Sequence, residues 1–359
     1  MRDNIMRMQE RMNALGVRLR PHAKTSKCIP VVRAQLEAGG QGITVSTLKE
    51  AEVFFAAGIA DIVYAVGIDA AKLPRALALR RSGCDLRIVT DSVAGVRAIA
   101  SFGAAQAEAF EVWIEVDVDG HRSGIPPDGA ELLTVGRALH DGGMRVGGVL
   151  AHAGASYEAH EPEALRAIAE AERAGTVRAA DRLREAGLPC PVVSVGSTPT
   201  AFSARRLDGV TEVRAGVYVF FDLVMHNVGV CRMDEIALSV LTTVIGHQEE
   251  KGWAIVDAGW MAMSRDRGTR EQQRDFGYGQ VCDEHGAPID GYLLASANQE
   301  HGIVCCSERV DRGIAARFPI GTRLRILPNH TCATAAQHPE FRAMLANGEV
   351  ETWPRFYGW

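Results

Sequence analysis

The chain has 359 residues, with 39 basic and 44 acidic side chains, a formal net charge of −5, and 47% hydrophobic against 23% charged residues. That composition is ordinary for a globular chain and excludes disorder, a coiled coil and a small disulfide scaffold, while the acidic balance offers no basic field for nucleic acid. At about 150 residues per domain the length suggests roughly two domains, and one (β/α)8 barrel of about 250 residues with a smaller partner fits equally well.

The first residues, MRDNIMRMQERMNALG, place Ile5, Met8, Met12 and Leu15 on one side of a helix and contain no apolar signal-peptide core. No apolar run reaches the roughly 18 residues that a membrane span needs. Eight β-rich runs then follow at 17–24, 42–47, 61–66, 86–91, 111–119, 145–154, 191–197 and 212–220. Most are apolar nearly throughout, as parallel strands buried on both faces are. Helical stretches separate them at 29–38, 47–57, 70–82, 92–102, 128–141 and 162–186, the last ended by Gly187 and Pro189. This alternation predicts an α/β fold, a (β/α)8 TIM barrel over 1–229. A doubly wound sheet would want fewer strands and a glycine-rich first turn, which RPHAKTSK is not. After about residue 230 the texture changes to strands such as IALSVLTTVIGHQ, GWAIVDAGW and TRLRILPNH, joined by Gly, Asp and Asn turns. The region 230–359 therefore reads as a mainly antiparallel β domain, with one short helix near 338–347. The eight cysteines, Cys28, Cys84, Cys190, Cys231, Cys282, Cys305, Cys306 and Cys332, show no framework spacing and suit reduced thiols in a cytoplasm.

In barrels the chemistry gathers at the C-terminal ends of the strands. Only five of the 39 basic residues are lysines, and two of them, Lys24 and Lys27, fall in RPHAKTSK at the end of the first strand. A lysine desolvated in a barrel mouth has a lowered pKa and a nucleophilic amine, as a Schiff base requires; a solvated loop lysine is the plain reading, and Lys27 suits it. Gly196-Ser197-Thr198-Pro199 follows the seventh strand, where glycine admits a ligand, hydroxyls cap and free N–H groups hold phosphate; a simple helix cap is the alternative. His330-Thr331-Cys332 follows TRLRILPN. If the strand continues, the imidazole and thiol project on one face as half of a zinc site, against a buried cysteine beside a turn histidine. Arg122 in DGHRSG could hold a phenolate or carboxylate and Tyr157 in HAGASY is a further candidate, though each could be a loop residue. Asn298 to Gly302 reads as a solvated hairpin.

Together, RPHAKTSK, DGHRSG, HAGASY, VGSTPT, RAGVYVFFD, VDAGWMAMSRD, NQEHG and LPNHTC occur in the order seen in fold-type III pyridoxal-phosphate enzymes of the D-serine dehydratase and D-threonine aldolase group. The chain resembles that group over nearly its whole length, and within it the D-serine and D-threo-3-hydroxyaspartate dehydratases. The resemblance implies an alanine-racemase-like barrel followed by a β domain that carries a metal pair. It implies Lys24 as the lysine of the internal aldimine, and Ser197 and Thr198 as the phosphate cradle. Arg122 would stand beside the cofactor ring, Tyr157 in the active site, and Gly216 and Tyr218 against the cofactor. His330 and Cys332 match the metal pair, with zinc most expected and manganese or magnesium in relatives. The group's active sites lie near a dimer interface, so a homodimer is implied. Relatives carry a segment with a strand before the first helix, whereas this chain starts inside that helix. That implies a start upstream of Met1 or a β domain short of one strand.

The implied reaction is β-elimination of water from a D-β-hydroxy amino acid, giving a 2-oxo acid and ammonia, with Lys24 removing the α-proton. The alternative is retro-aldol cleavage. Family aldolases place an aspartate where Cys332 stands, and a harder carboxylate leaves the metal more Lewis acidic. A non-catalytic cofactor carrier resembles a lone barrel and would lack the second domain, and a racemase would need a second base. Arg265 and Arg267 are candidates for holding a second substrate carboxylate.

Overall fold

The computed structural model describes all residues from Met1 to Trp359. Two compact units emerge, one made of Ile5–Gly216 with Arg355–Trp359, the other of Met1–Asn4 with Val217–Pro354. The sequence expectation divided the chain at 229/230, whereas compactness divides it after Gly216.

In the first unit, strands β1 (Arg18–Leu19), β2 (Ile43–Val45), β3 (Asp61–Gly67), β4 (Asp85–Thr90), β5 (Glu111–Val116), β6 (Arg145–Ala151), β7 (Val192–Val195) and β8 (Glu212–Val213) form one parallel sheet in the order β1-β8-β7-β6-β5-β4-β3-β2. The sheet curls until its edges meet. Gln41 N–H donates to Leu19 O and Thr44 N–H to Pro21 O, both at 2.8 Å, and His22 bridges Thr44 in parallel. This closure gives the predicted barrel. β1 and β8 are only two residues long, because the chain leaves the sheet early to form the mouth. Apolar side chains dominate both faces of the strands: Ile62, Val63, Ile88, Val112, Ile114 and Val193 have no exposed surface.

Helices α1 (Arg2–Ala14), α2 (Ile29–Glu37), α3 (Leu48–Ala56), α4 (Leu73–Arg81), α5 (Val93–Gln106), α6 (Glu131–Asp141), α7 (Pro162–Glu185) and α8 (Thr198–Ser203) accompany the strands. Their starts follow local chemistry. Thr47 caps Glu50 N and Ser92 caps Gly95 N, while Pro30, Pro74 and Pro162 occupy first-turn positions where no N–H is needed. On α1, Ile5, Met8 and Met12 are buried, as the amphipathic pattern predicts.

In the second unit, α9 (Leu223–Asn227) and the strands β9 (Val240–Gln248), β10 (Trp253–Val256), β11 (Gly279–Cys282), β12 (Pro288–Ala297), β13 (Gly302–Cys306) and β14 (Arg323–Pro328) appear. The strands close an antiparallel barrel in the order β10-β13-β12-β11-β14-β9 around Val244, Val256, Val281, Leu294, Val304 and Ile326. Short helices α10 (Trp260–Met263), α11 (Ile314–Arg317) and α12 (Thr331–Ala335) decorate it. Asn298–His301 is the turn of the β12–β13 hairpin, with Asn298 N–H donating to His301 O at 2.8 Å.

The helix expected near 338–347 is absent. Residues there form β15 (Glu340–Met344), which pairs with β16 (Val350–Pro354). Asn347-Gly348 supplies the reason: the dipeptide favours a tight hairpin turn, Gly348 takes φ +85°, and Leu345 N–H donates to Glu349 O at 2.9 Å. No helix is long and apolar enough to cross a membrane.

Candidate active site

The barrel mouth is built by the turns that follow the strands. After β1, Lys24 stands on a one-turn 3₁₀ helix, Ala23–Thr25, begun by His22, whose Nδ1 accepts weakly from Lys24 N at 3.4 Å. Ala23 and Thr25 are buried, and Lys24 between them is exposed.

What surrounds Lys24 is charge. His22 is pushed well below its ordinary pKa, first by burial and then by the positive charges of Lys24 and Arg214. His152, after β6, is pushed down to about 3 by burial and then by Arg122, a backbone bond to Gly196 O at 3.0 Å acting against this. Two imidazoles thus stay neutral at pH 7, facing a lysine and two arginines. Arg214 is buried and donates to Ser194 Oγ at 2.9 Å and Ala151 O at 2.7 Å. Burial draws it down to about 10, with Glu212, Glu172 and Glu115 opposing. Arg122 is half-exposed, 3.9 Å from Glu115, and Tyr157 is half-buried with its ring 5.9 Å from that of His152.

The turn after β7 forms a cradle. Gly196 takes φ +135°, and a Cβ there would lie 2.8 Å from Arg214 O. Ser197 caps α8 in a reciprocal box with Thr200, and its Oγ is 2.9 Å from Ser156 Oγ. Glu172 of α7, fully buried, accepts from Ala153 N at 2.9 Å and Gly196 N at 3.1 Å, tying the ends of β6 and β7 together. Gly216 leaves space beside the Lys24 turn, where a Cβ would crowd His22 O and Thr25 Oγ1 at 3.1 Å. A cationic mouth with neutral histidines, a hydroxyl-lined cradle and one lysine fits an anionic, phosphorylated aldehyde cofactor.

The H-x-C pair lies in the second unit, as does Tyr218, fully buried in the turn Val217–Val219. His330 and Cys332 are not on a continued strand, as expected. β14 ends at Pro328, because Asn329 is pulled aside by bonds to Thr269 Oγ1 at 2.8 Å and Gly277 O at 2.6 Å. His330 then becomes the N-cap of α12, with Cys332 in its first turn, and their side chains still hydrogen-bond. His330 Nδ1–H donates to Asp266 Oδ2 at 2.6 Å, which directs Nε2 outward, the second-sphere arrangement common to metal-binding histidines. Burial disfavours charge on His330, yet Cys332, Asp266 and Asp222 outweigh it and raise the ring to about 11. Buried Asp222 accepts Thr331 N at 3.0 Å between the two candidate ligands, and Met225 N at 2.9 Å. Phe221, just before Asp222, and Ser264, two before Asp266, hold the left-handed φ values 52° and 72° that non-glycine residues avoid. Strain thus sits where the two carboxylates are aimed. An imidazole and a thiol under negative potential fit a divalent cation, with remaining positions open to water or substrate.

Sequence reasoning missed Glu172, Asp222 and Asp266. Glu172 left a trace: it takes a place in the apolar stripe Leu165, Ala169, Thr176, Ala179, Leu183 of α7, where a surface glutamate would not fall.

A parallel barrel with a lysine-bearing cationic mouth, followed by an antiparallel β unit, defines the class of fold-type III pyridoxal-phosphate enzymes. The model of the alanine racemase N-terminal domain matches residues 1–224 and that of a serine dehydratase domain residues 237–344. The chain is 67% identical to D-threo-3-hydroxyaspartate dehydratase from Delftia sp. strain HT23, covering 100% of this chain and 95% of that protein. The solved structure of that protein superposes with a TM-score of 0.99 over 100% of this chain and 95% of that one. A cysteine-to-alanine variant of that dehydratase has been solved in a metal-free form. D-serine dehydratase from Dictyostelium discoideum is 28% identical over 97% of this chain and 92% of its own length. D-threonine aldolase from Filomicrobium marinum is 25% identical, with a TM-score of 0.82 over 98% of this chain and 91% of that one. The chain belongs to the D-serine dehydratase and D-threo-3-hydroxyaspartate dehydratase family of fold-type III pyridoxal-phosphate enzymes.

Proposed function

We propose that the protein is a pyridoxal 5′-phosphate- and divalent-metal-dependent dehydratase. It converts a D-β-hydroxy amino acid, D-threo-3-hydroxyaspartate or D-serine, into a 2-oxo acid and ammonia by β-elimination of water. The carrying observation is the 67% identity, over the full chain, to a D-threo-3-hydroxyaspartate dehydratase. In this reading residues 1–229 hold the cofactor and 230–359 hold the metal. A homodimer in the cytoplasm is part of the same proposal, the eight free cysteines suiting that compartment.

When bound, the cofactor supplies an electron sink for a carbanion at the substrate Cα, and a divalent cation, zinc before manganese or magnesium, supplies a Lewis acid for the departing hydroxyl. The chain's own residues do the rest. Lys24 Nζ would tether the cofactor and would take the α-proton from its own side, which would make the site D-selective. Ser197, Thr198 and the neighbouring N–H groups hold the phosphate. Arg122 and Tyr157 orient the ring and substrate, while Gly216 and Tyr218 shape the space around them. His330 Nε2 and Cys332 Sγ hold the metal, with Asp266 fixing the imidazole. Thiolate at 332 in place of a carboxylate leans the chemistry toward elimination over aldol cleavage.

The test is ammonia release from both substrates before and after chelation. The proposal expects chelation to lower the rate by about 100-fold or more, the scale of losing a Lewis acid from the transition state. It also expects Lys24→Ala to abolish turnover. Release unchanged by chelation would remove the metal from the reaction, and turnover by Lys24→Ala would remove Lys24.

A further inference from the structure

The last five residues, Arg355–Trp359, count with the first unit although the strand that precedes them does not. They run along the back of the Lys24 turn. Arg355 is 8% exposed, and its Nε–H donates to Ser26 O at 2.7 Å. Phe356 N–H donates to Lys27 O at 3.2 Å, and its ring stands edge-on to buried Phe54 of α3 with centroids 5.2 Å apart. Arg75 Nη1 donates to Trp359 O at 3.1 Å and fixes the far end.

Ser26 and Lys27 are two and three residues beyond Lys24, in the same turn. Within the turn Lys27 N–H donates to Ala23 O at 2.9 Å. The N-cap bond of the turn is 3.4 Å long, and Lys27 sits at φ 44°, a conformation a non-glycine residue holds only when its surroundings impose it. Lys27 Nζ also pairs at 3.3 Å with buried Glu50 of α3, which accepts Ser46 N at 3.2 Å. The turn is thus held by α3 and by the tail. An amine that must meet one carbon atom needs its backbone fixed within a fraction of an ångström.

We propose that the C-terminal pentapeptide positions the Lys24 turn, with Arg355 as the positioning residue. The inference rests on the reading of Lys24 as the amine that holds the cofactor. Without the clamp only a fraction of molecules presents the amine correctly, and the apparent cofactor affinity falls by that fraction.

The experiment compares the wild type, Arg355→Ala, Arg355→Lys and a chain ending at Pro354. Amide hydrogen exchange is followed in the cofactor-free proteins and pyridoxal-phosphate affinity by titration. Exchange at residues 22–28 is expected to accelerate about tenfold or more in Arg355→Ala and in the shortened chain, with β5 and β6 unchanged. The cofactor dissociation constant is expected to rise by about tenfold, kcat to fall more than KM rises, and Arg355→Lys to recover part of each loss. Unchanged exchange at 22–28 would overturn the proposal. So would acceleration spread evenly through the barrel, which would make the tail a general brace, or an unaltered cofactor affinity. Lys24→Ala separates the two layers: cofactor binding as tight as wild type in that variant would sink the reading of Lys24, whereas the exchange result bears on the tail alone.

Discussion

At the residue scale, function rests on side chains whose neighbours fix their charge and direction. Asp266 holds His330 through one short bond, 2.6 Å long. Asp266→Asn should weaken metal binding by about 10–100-fold, the usual cost of losing such a partner, as equilibrium dialysis would measure. An affinity within twofold of wild type would separate Asp266 from the metal. His152 carries a different prediction. Its folded pKa of about 3 lies below the ordinary value of 6.5, so below pH 6.5 the unfolded chain binds a proton that the folded one does not. Stability of the cofactor-free protein should therefore fall as pH drops from about 6.5 toward 3. His330, raised to about 11, stays charged in the folded protein throughout, so near its ordinary 6.5 it adds a small opposing gain that is the same in wild type and in a His152 variant. Denaturant unfolding at pH 7 and pH 5 should show a smaller loss in His152→Gln than in wild type, and equal losses would refute the neutral, buried imidazole.

At the element scale, the turns after the strands matter more than the strands. Glu172 reaches from α7 to the N–H groups of Ala153 and Gly196 through one oxygen, Oε1. Glu172→Gln keeps a carbonyl oxygen there and should cost under about 1 kcal/mol, whereas Glu172→Ala orphans two buried donors and should cost about 2–4 kcal/mol in denaturant unfolding. Equal effects of the two would show that the bonds do not hold the strand ends. Gly196→Ala adds strain at φ +135° and a clash with the Arg214 backbone, and should loosen the cradle. A pyridoxal-phosphate titration should read that as weaker binding in a folded protein; unaltered binding would place the phosphate elsewhere. The elements themselves were largely legible. Runs such as DIVYAV and EVWIEV are apolar on both faces because helices cover one side and the barrel interior the other, and Ser, Thr and Pro mark where the helices begin. Two places were not. Residues 338–347 carry helix-forming Ala, Met and Leu, but the Asn347-Gly348 turn and the partner strand β16 decide the outcome. His330 and Cys332 stand out in the sequence by type, yet their geometry depends on Asn329, Asp222 and Asp266, whose partners lie far away in sequence. No local pattern encodes such pairings. Arg355 was likewise invisible, its carbonyl partner Ser26 lying 329 residues earlier.

At the scale of the whole molecule, one chain joins a barrel suited to an anionic cofactor with a β unit that carries an imidazole–thiol pair. The family assignment covers both, since separate domain models match 1–224 and 237–344. Dehydratases and aldolases share this architecture, so fold alone does not separate β-elimination from Cα–Cβ cleavage. The products do. The most direct measurement supplies D-threo-3-hydroxyaspartate to the cofactor- and metal-loaded protein and quantifies ammonia, oxaloacetate, glycine and glyoxylate together. The account predicts ammonia and oxaloacetate in equal amounts with no glycine. Glycine and glyoxylate as the main products would contradict it.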